Sequence, residues 1–469
     1  MPNKRLPFVA DYAQRGINSG QPIDAQGLNM IPEKDGNGMV WSFKRPGLYA
    51  VGTMTSGTAF QGSFVGPSDT LMVLYSSVLQ TLGGPTLSIS GLTSLLGYDT
   101  EAQATSSTPA PGYAVVTGAG AGAYQGLFVG NSNPTSAAVV AGPSGTGTLV
   151  PGVVQLDGTF YVMDTAGGIW NSNVNDPTTG WGTGYRYANA VPGTGVALTK
   201  QLAYVVALKT RDVEFFYDAG NPAGSPLSPV QSARLQFGCY SATSIATHND
   251  TLFWIAQGDG GELFVVEVRN LQATKISTPA IDRVLGVPSV AGVVRVLGHT
   301  FYALGFHIMS GLSIVGTRIY AYEVDLKIWV VWEFPQIIMG FATDIKFQTT
   351  WVFDNTNKYY GFDTAGMDDG TLFTWQLTTP PFDGDSRLRK YLSRMDILTD
   401  NTATHNLQVR WSDDDQVSWS SWRNVNLQSS RPSLTGCGTF RRRTFQFRHI
   451  GPENLRLQGV DLWLEEGTL

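Results

Sequence analysis

The chain has 469 residues, a formal net charge of −6 and only 14% charged residues, with 54 glycines and an aromatic content of 11%. These values are typical of a turn-rich all-β protein with more than one domain, and they argue against a chain that grips nucleic acid over its whole surface. Cys239 and Cys437 are too few for a disulfide framework. No apolar run is long enough for a signal peptide or a membrane span, so we expect a soluble protein that folds in a reducing cytosol.

Residues 1–50 are polar and glycine-rich, without a sustained period of 2 or 3.6 residues. We expect an extended N-terminal arm that packs on a neighbouring domain or subunit. The arm ends in the sequence KRPGL (44–48), in which Pro46 and Gly47 predict a type II turn.

Residues 51–375 contain a repeated pattern in which a polar or glycine corner precedes a run of β-forming residues. The intervals between corners are 43, 49, 49 and 56 residues when the corners are placed at Asp157, Lys200, Asn249, Gly298 and Asp354. A period of about 40–50 residues with several strands per unit predicts a β-propeller of six or seven blades, because stacked blades bury one another's faces. The last interval requires an insertion, and extending the period backwards predicts corners near Asp69 and Pro111.

Residues 376–469 have a different texture, with alternating strands that predict a separate, β-sandwich-like C-terminal domain. Acidic and basic residues are nearly balanced here, which indicates ion-paired strands. Arg441, Arg442 and Arg443 form the one run of adjacent arginines and are a candidate partner contact, although a charged sheet face is the better explanation of them.

The segment WSDDDQVSWSSW (411–422) is close to a known turn motif, the Asp box S-x-D-x-G-x-[ST]-W, with Gln416 in place of the glycine. In this motif the Asp side chain caps turn amides and the Trp packs beneath them. The motif occurs in sialidases, but a sialidase also needs arginines from several blades, and the first half of this chain lacks them. No catalytic group, metal ligand set or cofactor loop is indicated elsewhere, so we expect a protein that is not an enzyme.

The middle of the chain carries a series of motifs in a fixed order. They are KTRDVEFFYDAGNP (209–222), SPVQSARLQFGCYSATSIATHNDTLFWIAQ (228–257), ATKISTPAIDRVL (273–285), GHTFYALGF (298–306) and RIYAYEVDLKIWVVWE (318–333). This order resembles that of the tail hub or nozzle proteins of short-tailed bacteriophages, also called packaged DNA stabilisation proteins. The resemblance covers roughly residues 198–335.

The resemblance implies a ring, usually hexameric, at the end of the portal and adaptor stack of a virion. Genomic double-stranded DNA would be retained by the ring and later leave through its lumen without sequence-specific binding. Tail fibres, tailspikes or needle proteins would attach to the outside. The chain would then be a structural protein of the phage tail, made in the host cytoplasm.

Charge patterning fits this expectation, because no Lys or Arg occurs between Pro46 and Tyr185. A conduit that binds phosphates weakly lets DNA slide. We therefore expect part of this segment to border the lumen, with Asp99, Glu101 and Asp176 as candidate acidic residues there. A low-complexity structural half of the chain is the plainer interpretation. The alternative function is a glycan-binding propeller, either a receptor-recognising tail protein or a lectin.

Overall fold

In its described residues the computed structural model is almost entirely β-structure, with one short helix, α1 (Pro279–Asp282), and one 3₁₀ turn at Ala242–Ser244. The structure describes residues 3–6, 13–18, 21–34, 40–54, 60–66, 70–76, 78–82, 86–88, 112–117, 123–130, 133–141, 143, 147–174, 176–221, 223–344, 346–400 and 404–467. No helix in this part of the chain is long and apolar enough to cross a membrane.

The strands are short and are numbered here in chain order. Those up to residue 141 are β1 (Asn3–Arg5), β2 (Ala13–Asn18), β3 (Gln21–Leu28), β4 (Met30–Lys34), β5 (Val40–Lys44), β6 (Gly47–Thr53), β7 (Phe60–Gly66), β8 (Thr70–Tyr75), β9 (Val78–Thr81), β10 (Thr86–Ser88), β11 (Gly112–Thr117), β12 (Ala123–Gly130) and β13 (Asn133–Ala141). Those up to residue 296 are β14 (Leu149–Leu156), β15 (Thr159–Asp164), β16 (Gly168–Asn173), β17 (Asp176–Tyr187), β18 (Gly195–Gln201), β19 (Tyr204–Lys209), β20 (Val213–Asp218), β21 (Leu227–Pro229), β22 (Gly238–Cys239), β23 (Ala246–His248), β24 (Thr251–Gln257), β25 (Leu263–Arg269), β26 (Gln272–Lys275) and β27 (Val290–Val296). The remainder are β28 (His299–Ser310), β29 (Ser313–Glu323), β30 (Ile328–Phe334), β31 (Ile338–Asp344), β32 (Thr349–Asp354), β33 (Lys358–Asp363), β34 (Met367–Asp368), β35 (Thr371–Leu372), β36 (Thr374–Thr378), β37 (Lys390–Thr399), β38 (Leu407–Ser412), β39 (Arg423–Val425), β40 (Ser433–Thr435), β41 (Thr439–Phe440), β42 (Thr444–Ile450) and β43 (Arg456–Glu466).

Five sheets of four or five described strands form a β-propeller arrangement. They consist of β7–β10, β14–β17, β18–β21, β22–β26 and β31–β33 with β6. The first strands of two neighbouring sheets, β14 and β18, contact each other, and β31 of the last sheet contacts β7 of the first. The last sheet therefore packs against the first. The all-β class and the β-propeller predicted from the sequence are confirmed.

The last of these sheets is completed by a strand from near the start of the chain. β6 pairs antiparallel with β33, from Thr53 opposite Lys358 to Gly47 opposite Asp363. Because the two strands are far apart in sequence, this pairing ties the beginning of the propeller to its end and covers an edge that would otherwise be open.

The hydrophobic core of the propeller lies between neighbouring sheets. Tyr161 of β15 and Val205 of β19 belong to one buried cluster, and Leu208 of β19 and Trp254 of β24 belong to the next. The middle strands are consequently buried on both faces, as in β15, where every residue is buried. This explains why these strands read as nearly continuous runs of β-branched and aromatic residues.

The repeated corners have a common backbone geometry. Five hairpins turn at a residue with φ near 50°, and these residues are Asp157 (48°, between β14 and β15), Leu202 (52°, between β18 and β19), Asn249 (51°, between β23 and β24), Leu297 (50°, between β27 and β28) and Gln348 (51°, between β31 and β32). Their intervals are 45, 47, 48 and 51 residues. Asp354 instead ends β32 and precedes the next turn of its sheet. The predicted insertion is therefore wrong, since the last predicted interval compared two different corners. The corners predicted near Asp69 and Pro111 lie outside the described residues.

Two further sheets hold the C-terminal strands together with strands from the N-terminal segment 1–50. In one, β43 pairs with β37, β5 and β1, and in the other the order is β3, β36, β42, β38 and β39. Both sheets contribute to a single hydrophobic cluster that includes Trp375, Met395, Phe447 and Leu462. The described strands of segment 1–50 thus pair within the same chain. Sequence patterning does not reveal this pairing, because short strands with mixed partners leave no period.

The predicted type II turn at Pro46 and Gly47 is wrong. Gly47 begins β6 and does not adopt the positive φ that such a turn requires. The glycine serves a close approach instead, because a Cβ atom at this position would lie 1.8 Å from the carbonyl oxygen of Met367.

The basic residue before this proline is buried where the propeller meets the C-terminal sheets. The Arg45 guanidinium forms two hydrogen bonds with the Asp368 carboxylate, at 2.6 and 2.9 Å, and a third with the carbonyl oxygen of Glu333 at 2.8 Å. It also lies 4.0 Å from the ring of Phe334 and 3.9 Å from that of Phe373. Arg45 therefore joins segments that are far apart in sequence.

Candidate functional surfaces

The candidate acidic residues of the segment without Lys or Arg are only partly within the described structure. Asp99 and Glu101 lie outside the described residues. Asp176 is the first residue of β17, the outermost strand of its sheet, and its backbone pairs with Asn173. This position is at the rim of the sheet, away from the first strands that meet at the propeller axis.

A buried acidic residue of the same segment, Asp164, is fully occupied by local hydrogen bonds. Its carboxylate accepts from the backbone N–H groups of Ala166 at 3.0 Å and Gly168 at 2.8 Å, and from Nε1 of Trp170 at 3.1 Å. A carboxylate held in this way stabilises a turn and needs no cation. Asp164 therefore has a structural role.

The three adjacent arginines of the C-terminal region have different environments. Arg441 is exposed, and Arg442 is exposed and pairs with Asp415. Arg443 is buried, and its guanidinium makes two hydrogen bonds with Asp413, at 2.7 and 2.8 Å, and one with the carbonyl oxygen of Cys437 at 2.6 Å. The sequence run therefore does not form one cationic patch, and Arg441 and Arg442 are its surface members.

The Asp-box-like segment forms the expected turn. Asp414 accepts hydrogen bonds from Oγ of Ser412 at 2.8 Å and from the backbone N–H of Ser418 at 2.9 Å. The Ser418 hydrogen bonds, followed by that of Ser412, lower the pKa of the Asp414 carboxyl to about 2. Gln416 adopts a φ of 69°, which is the left-handed conformation that the glycine of the motif supplies. The segment is a structural corner.

An exposed apolar surface that sequence reasoning missed lies at the end of a long hairpin. β28 and β29 have 12 and 11 residues, whereas the flanking strands β27 and β30 have 7 each. The apolar tip consists of Met309, Leu312, Ile314 and Val315, with exposed fractions of 56%, 101%, 39% and 49%. No charged residue occurs from Ile308 to Thr317. In the sequence the only signal for this exposed tip is the uncharged run with a central glycine, and such a run does not distinguish the tip from an ordinary pair of strands.

In contrast to this projecting tip, a recess lies between the first and last sheets of the propeller. The Trp351 pocket has a volume of about 250 Å³, and it is lined mainly by apolar residues, including Leu71, Leu82, Phe347, Trp351 and Tyr359, with Thr81, Asp344 and Lys346 as its polar members. Phe347 is 67% exposed at its mouth. Exposed apolar groups of this kind, gathered in one place, are typical of interaction sites.

Comparison with known proteins gives one family match. Residues 138–295, about a third of the chain, match the family described as "Phage_stabilise: Bacteriophage P22 Gp10, beta-propeller". The matched region runs from β13 into β27 and so lies within the propeller. This match supports a phage tail protein family. No curated protein matches the sequence.

Solved structures that resemble the chain are varied. The WD40 domain of Neurospora crassa Pan2 is 10% identical, with a TM-score of 0.38, and the match covers 68% of this chain and 94% of that one. BamB from Moraxella catarrhalis is 11% identical, with a TM-score of 0.38 and coverages of 77% and 96%. An exo-β-1,3-galactanase from Phanerochaete chrysosporium is 11% identical, with a TM-score of 0.29 and coverages of 78% and 96%.

Proposed function

We propose that this chain is a structural subunit of a bacteriophage tail that assembles into a ring-shaped hub or nozzle. The ring retains packaged DNA, provides the channel for its ejection and connects an adaptor to fibres or spikes. The observation that carries the proposal is the match of residues 138–295 to a phage propeller family. The protein acts by assembly and not by catalysis.

The architecture that goes with this function has seven blades and a C-terminal β-sandwich. The three-stranded sheet β11–β13 and the strands β27–β30 are the two additional blades, since each lies in chain order between two propeller sheets. The two sheets that share the C-terminal hydrophobic cluster form the sandwich. In this arrangement residues 1–50 are the arm, 51–375 the propeller and 376–469 the C-terminal domain.

Ring formation is supported by an apolar projection and an apolar recess on one chain. The apolar tip of one copy enters the Trp351 pocket of the next, which gives a head-to-tail contact of the kind that closes into a ring. A pocket of about 250 Å³ admits the side chain of Leu312 with part of a neighbouring residue. Burying these groups removes apolar surface that each subunit otherwise exposes to water.

The experiment that tests assembly is the mass of the purified protein in solution, measured by analytical ultracentrifugation. We expect a closed oligomer, with its mass reduced toward that of the monomer in Leu312→Ser and in Phe347→Ser. Val417→Ser is the matched control, because Val417 is 72% exposed on the C-terminal region. A wild-type monomer would contradict the ring, and a Leu312→Ser ring of wild-type mass would contradict the contact.

The proposed channel function also leads to an expectation about the charge of the lumen. If the segment without Lys or Arg borders the lumen, then Asp99→Lys, Glu101→Lys and Asp176→Lys slow DNA ejection, most strongly at low salt, because exposed charges are screened over roughly 8–10 Å at physiological ionic strength. Asp259→Lys, in an exposed turn outside the segment, is the control. Ejection rates unchanged in all three variants would contradict the lumen assignment.

Absence of catalysis is tested directly. Purified protein incubated with sialosides, neutral glycans, peptides and nucleotides is expected to release no product. Turnover that disappears on replacing a single carboxylate would contradict this part of the proposal.

A further inference from the structure

The outward face of one C-terminal sheet carries two arginines in adjacent positions. On β42 and β38 the residues that point away from the hydrophobic cluster pair across the strands, Arg448 opposite Gln408 and Gln446 opposite Arg410. Their neighbours in sequence, such as Val409 and Phe447, are buried in the cluster. Strand alternation therefore places both guanidinium groups on the same outer face.

Two tryptophans from the following loop complete a stack with these arginines. The Arg410 guanidinium carbon lies 4.6 Å from the ring of Trp419 and 4.4 Å from that of Trp422, and the Arg448 carbon lies 4.1 Å from Trp422. Trp422 thus contacts both cations. The loop is shaped by the Asp414 turn that precedes it. We call Arg410, Arg448, Trp419 and Trp422 the Arg–Trp stack.

The hydrogen bonds of the stack are made to neutral groups. Nε of Arg410 donates to Oε1 of Gln446 at 2.6 Å, and Arg448 donates to Oε1 of Gln408 at 2.9 and 2.6 Å. Gln446 in turn donates to Oγ1 of Thr378 at 2.9 Å. Both guanidinium groups are half-buried and retain donors that these contacts do not use.

Other arginines of the same region reach carboxylates. Arg394 and Arg431 pair with Asp396, and Arg443 pairs with Asp413. Among the described residues, by contrast, neither Arg410 nor Arg448 forms an ion pair with a carboxylate. Burial and then the charge of Arg448 lower the pKa of Arg410.

We propose that the Arg–Trp stack is a binding site for an acidic saccharide, in which a sugar carboxylate is held by Arg410 and Arg448 and the sugar ring packs on Trp419. Guanidinium forks bind carboxylates through paired, charge-assisted hydrogen bonds. A carboxylate bound to the two arginines supplies a counterion, which no carboxylate of the described residues provides. The indole face supplies the apolar surface on which a sugar ring packs, and the glutamines fix the arginine geometry in advance. The site does not depend on ring formation.

A purely structural stack is the competing account, since alternating Arg and Trp side chains also rigidify a sheet face. The two accounts differ in what they predict for ligand binding. A structural stack loses stability when an arginine is removed and binds nothing, whereas a saccharide site binds ligand in the wild type.

The test is calorimetric titration of the full chain with trigalacturonate and sialyllactose as acidic probes. Galactotriose is the neutral control and inorganic phosphate the simple anion. We expect at least one acidic probe to bind, more weakly at high salt, and Arg448→Gln or Arg410→Gln to weaken binding about 10–100-fold. Arg448→Lys keeps the charge but removes the planar fork, so it also weakens binding. Arg431→Gln is the matched control, because Arg431 is an exposed arginine of the same region, and it leaves binding within about twofold.

Several results would overturn the proposal. They are no binding of either acidic probe, equal binding of galactotriose, phosphate binding as tight as that of the acidic saccharides, and binding of a thymidine oligonucleotide in their place. Circular dichroism of each variant separates loss of a binding group from loss of the fold. Unaltered affinity in a folded Arg448→Gln protein would also refute it.

Discussion

Two buried acids of the propeller and the buried cations of the C-terminal region are held in different ways, while the propeller also contains one buried ion-paired cluster, Lys209 with Asp212 and Glu214. In the propeller, Asp164 and Asp354 are acidic residues whose hydrogen bonds come from backbone N–H groups at positions i+2 and i+4 and from an aromatic side chain at i+6. In the C-terminal region and at its junction with the propeller, the buried charges are cations such as Arg45 and Arg443, held by carboxylates and carbonyl oxygens. In the described structure these two hairpins therefore bury an acid without an ion pair to a lysine or arginine.

This difference explains how the long segment without Lys or Arg, from Pro46 to Tyr185, folds at all. Among the described residues of this segment the buried acid is Asp164, and it is held by turn amides and an indole without a cation. The absence of Lys and Arg can then serve another purpose, which we propose is weak interaction with DNA. In the C-terminal region five arginines pair with carboxylates in the described structure, namely Arg394, Arg431, Arg442, Arg443 and Arg456, whereas Arg410 and Arg448 do not.

The largest expected effect comes from breaking the buried pair at the junction. Arg45→Met leaves Asp368 buried without its partner, and we expect a loss of about 3–5 kcal/mol in the free energy of unfolding, measured by denaturant titration. The double variant Arg45→Met with Asp368→Leu is expected to recover part of this loss, because it removes the unpaired charge. A single variant as stable as the wild type would show that the junction does not depend on this pair.

The second prediction concerns pH and the histidine of the C-terminal sheets. Burial, followed by the nearby charge of Lys44, lowers the pKa of His449 to about 4. The unfolded chain takes up this proton near pH 6.5, so stability is complete above that pH and is lost as the pH falls from about 6.5 to 4. The loss is about 3 kcal/mol at most, because each pKa unit corresponds to about 1.4 kcal/mol.

Two further groups near His449, Glu453 and Lys44, titrate outside this window. Glu453 is partly buried, which acts to raise its pKa, but hydrogen bonds from Thr404 and His405 lower it to about 2. Its contribution is therefore lost only between about pH 4.5 and 2. Burial lowers the pKa of Lys44 from 10.5 to about 8. The titration of Lys44 therefore changes the stability only between about pH 8 and 10.5. His449→Phe is expected to flatten the unfolding free energy between pH 6.5 and 4, and an unchanged slope in that variant would contradict the assignment.

The sequence predicted the fold correctly where one pattern repeats along the chain. It did not predict strand pairings between segments that are far apart in sequence. Asp157, Asn249 and Gly298 marked true corners, because a turn needs a residue tolerant of positive φ in every blade. Leu202 and Gln348 occupy the same turn position, but nothing about a leucine or a glutamine indicates a positive φ. Tertiary contacts decide the backbone conformation at such positions. They also put the last corner at Gln348, whereas the sequence pattern placed it at Asp354.

The candidate surfaces were harder to predict than the fold. Three adjacent arginines suggested one patch, but Arg441 and Arg442 lie in an exposed bend, whereas Arg443 bridges to Phe382 and is buried with its guanidinium on Asp413. The Arg–Trp stack depends on Arg410 and Arg448, which lie on different strands and meet only through strand pairing. Pairing between distant segments, and not local sequence, determines both the burial of Arg443 and the proximity of Arg410 to Arg448.

The third prediction tests the way the propeller holds acids. Asp164→Ala leaves the backbone N–H of Gly168 and the indole Nε1 of Trp170 without their acceptor, and we expect a loss of about 2–3 kcal/mol in the free energy of unfolding. Asp164→Asn keeps one acceptor oxygen and is expected to cost less. Asp157→Asn, at an exposed corner, is the control and is expected to change stability little. Equal stability of Asp164→Ala and the control would show that the carboxylate is dispensable.

The smallest expected effect, and the one of opposite sign, concerns the turn that leads into the Arg–Trp stack. Gln416 has a φ of 69°, and Nε2 of its side chain is buried without a hydrogen-bond partner in the described structure. A left-handed conformation costs a non-glycine residue about 1–2 kcal/mol, whereas glycine adopts it freely. Because glycine also loses more conformational entropy on folding, we expect Gln416→Gly to stabilise the protein by about 0.5–1 kcal/mol. Thermal unfolding of Gln416→Gly beside Gln416→Ala, which keeps the strain but removes the amide, separates the two contributions. If both variants stabilise equally, the buried amide and not the backbone is the cost, and if neither does, the turn is held by Asp414 strongly enough to mask it.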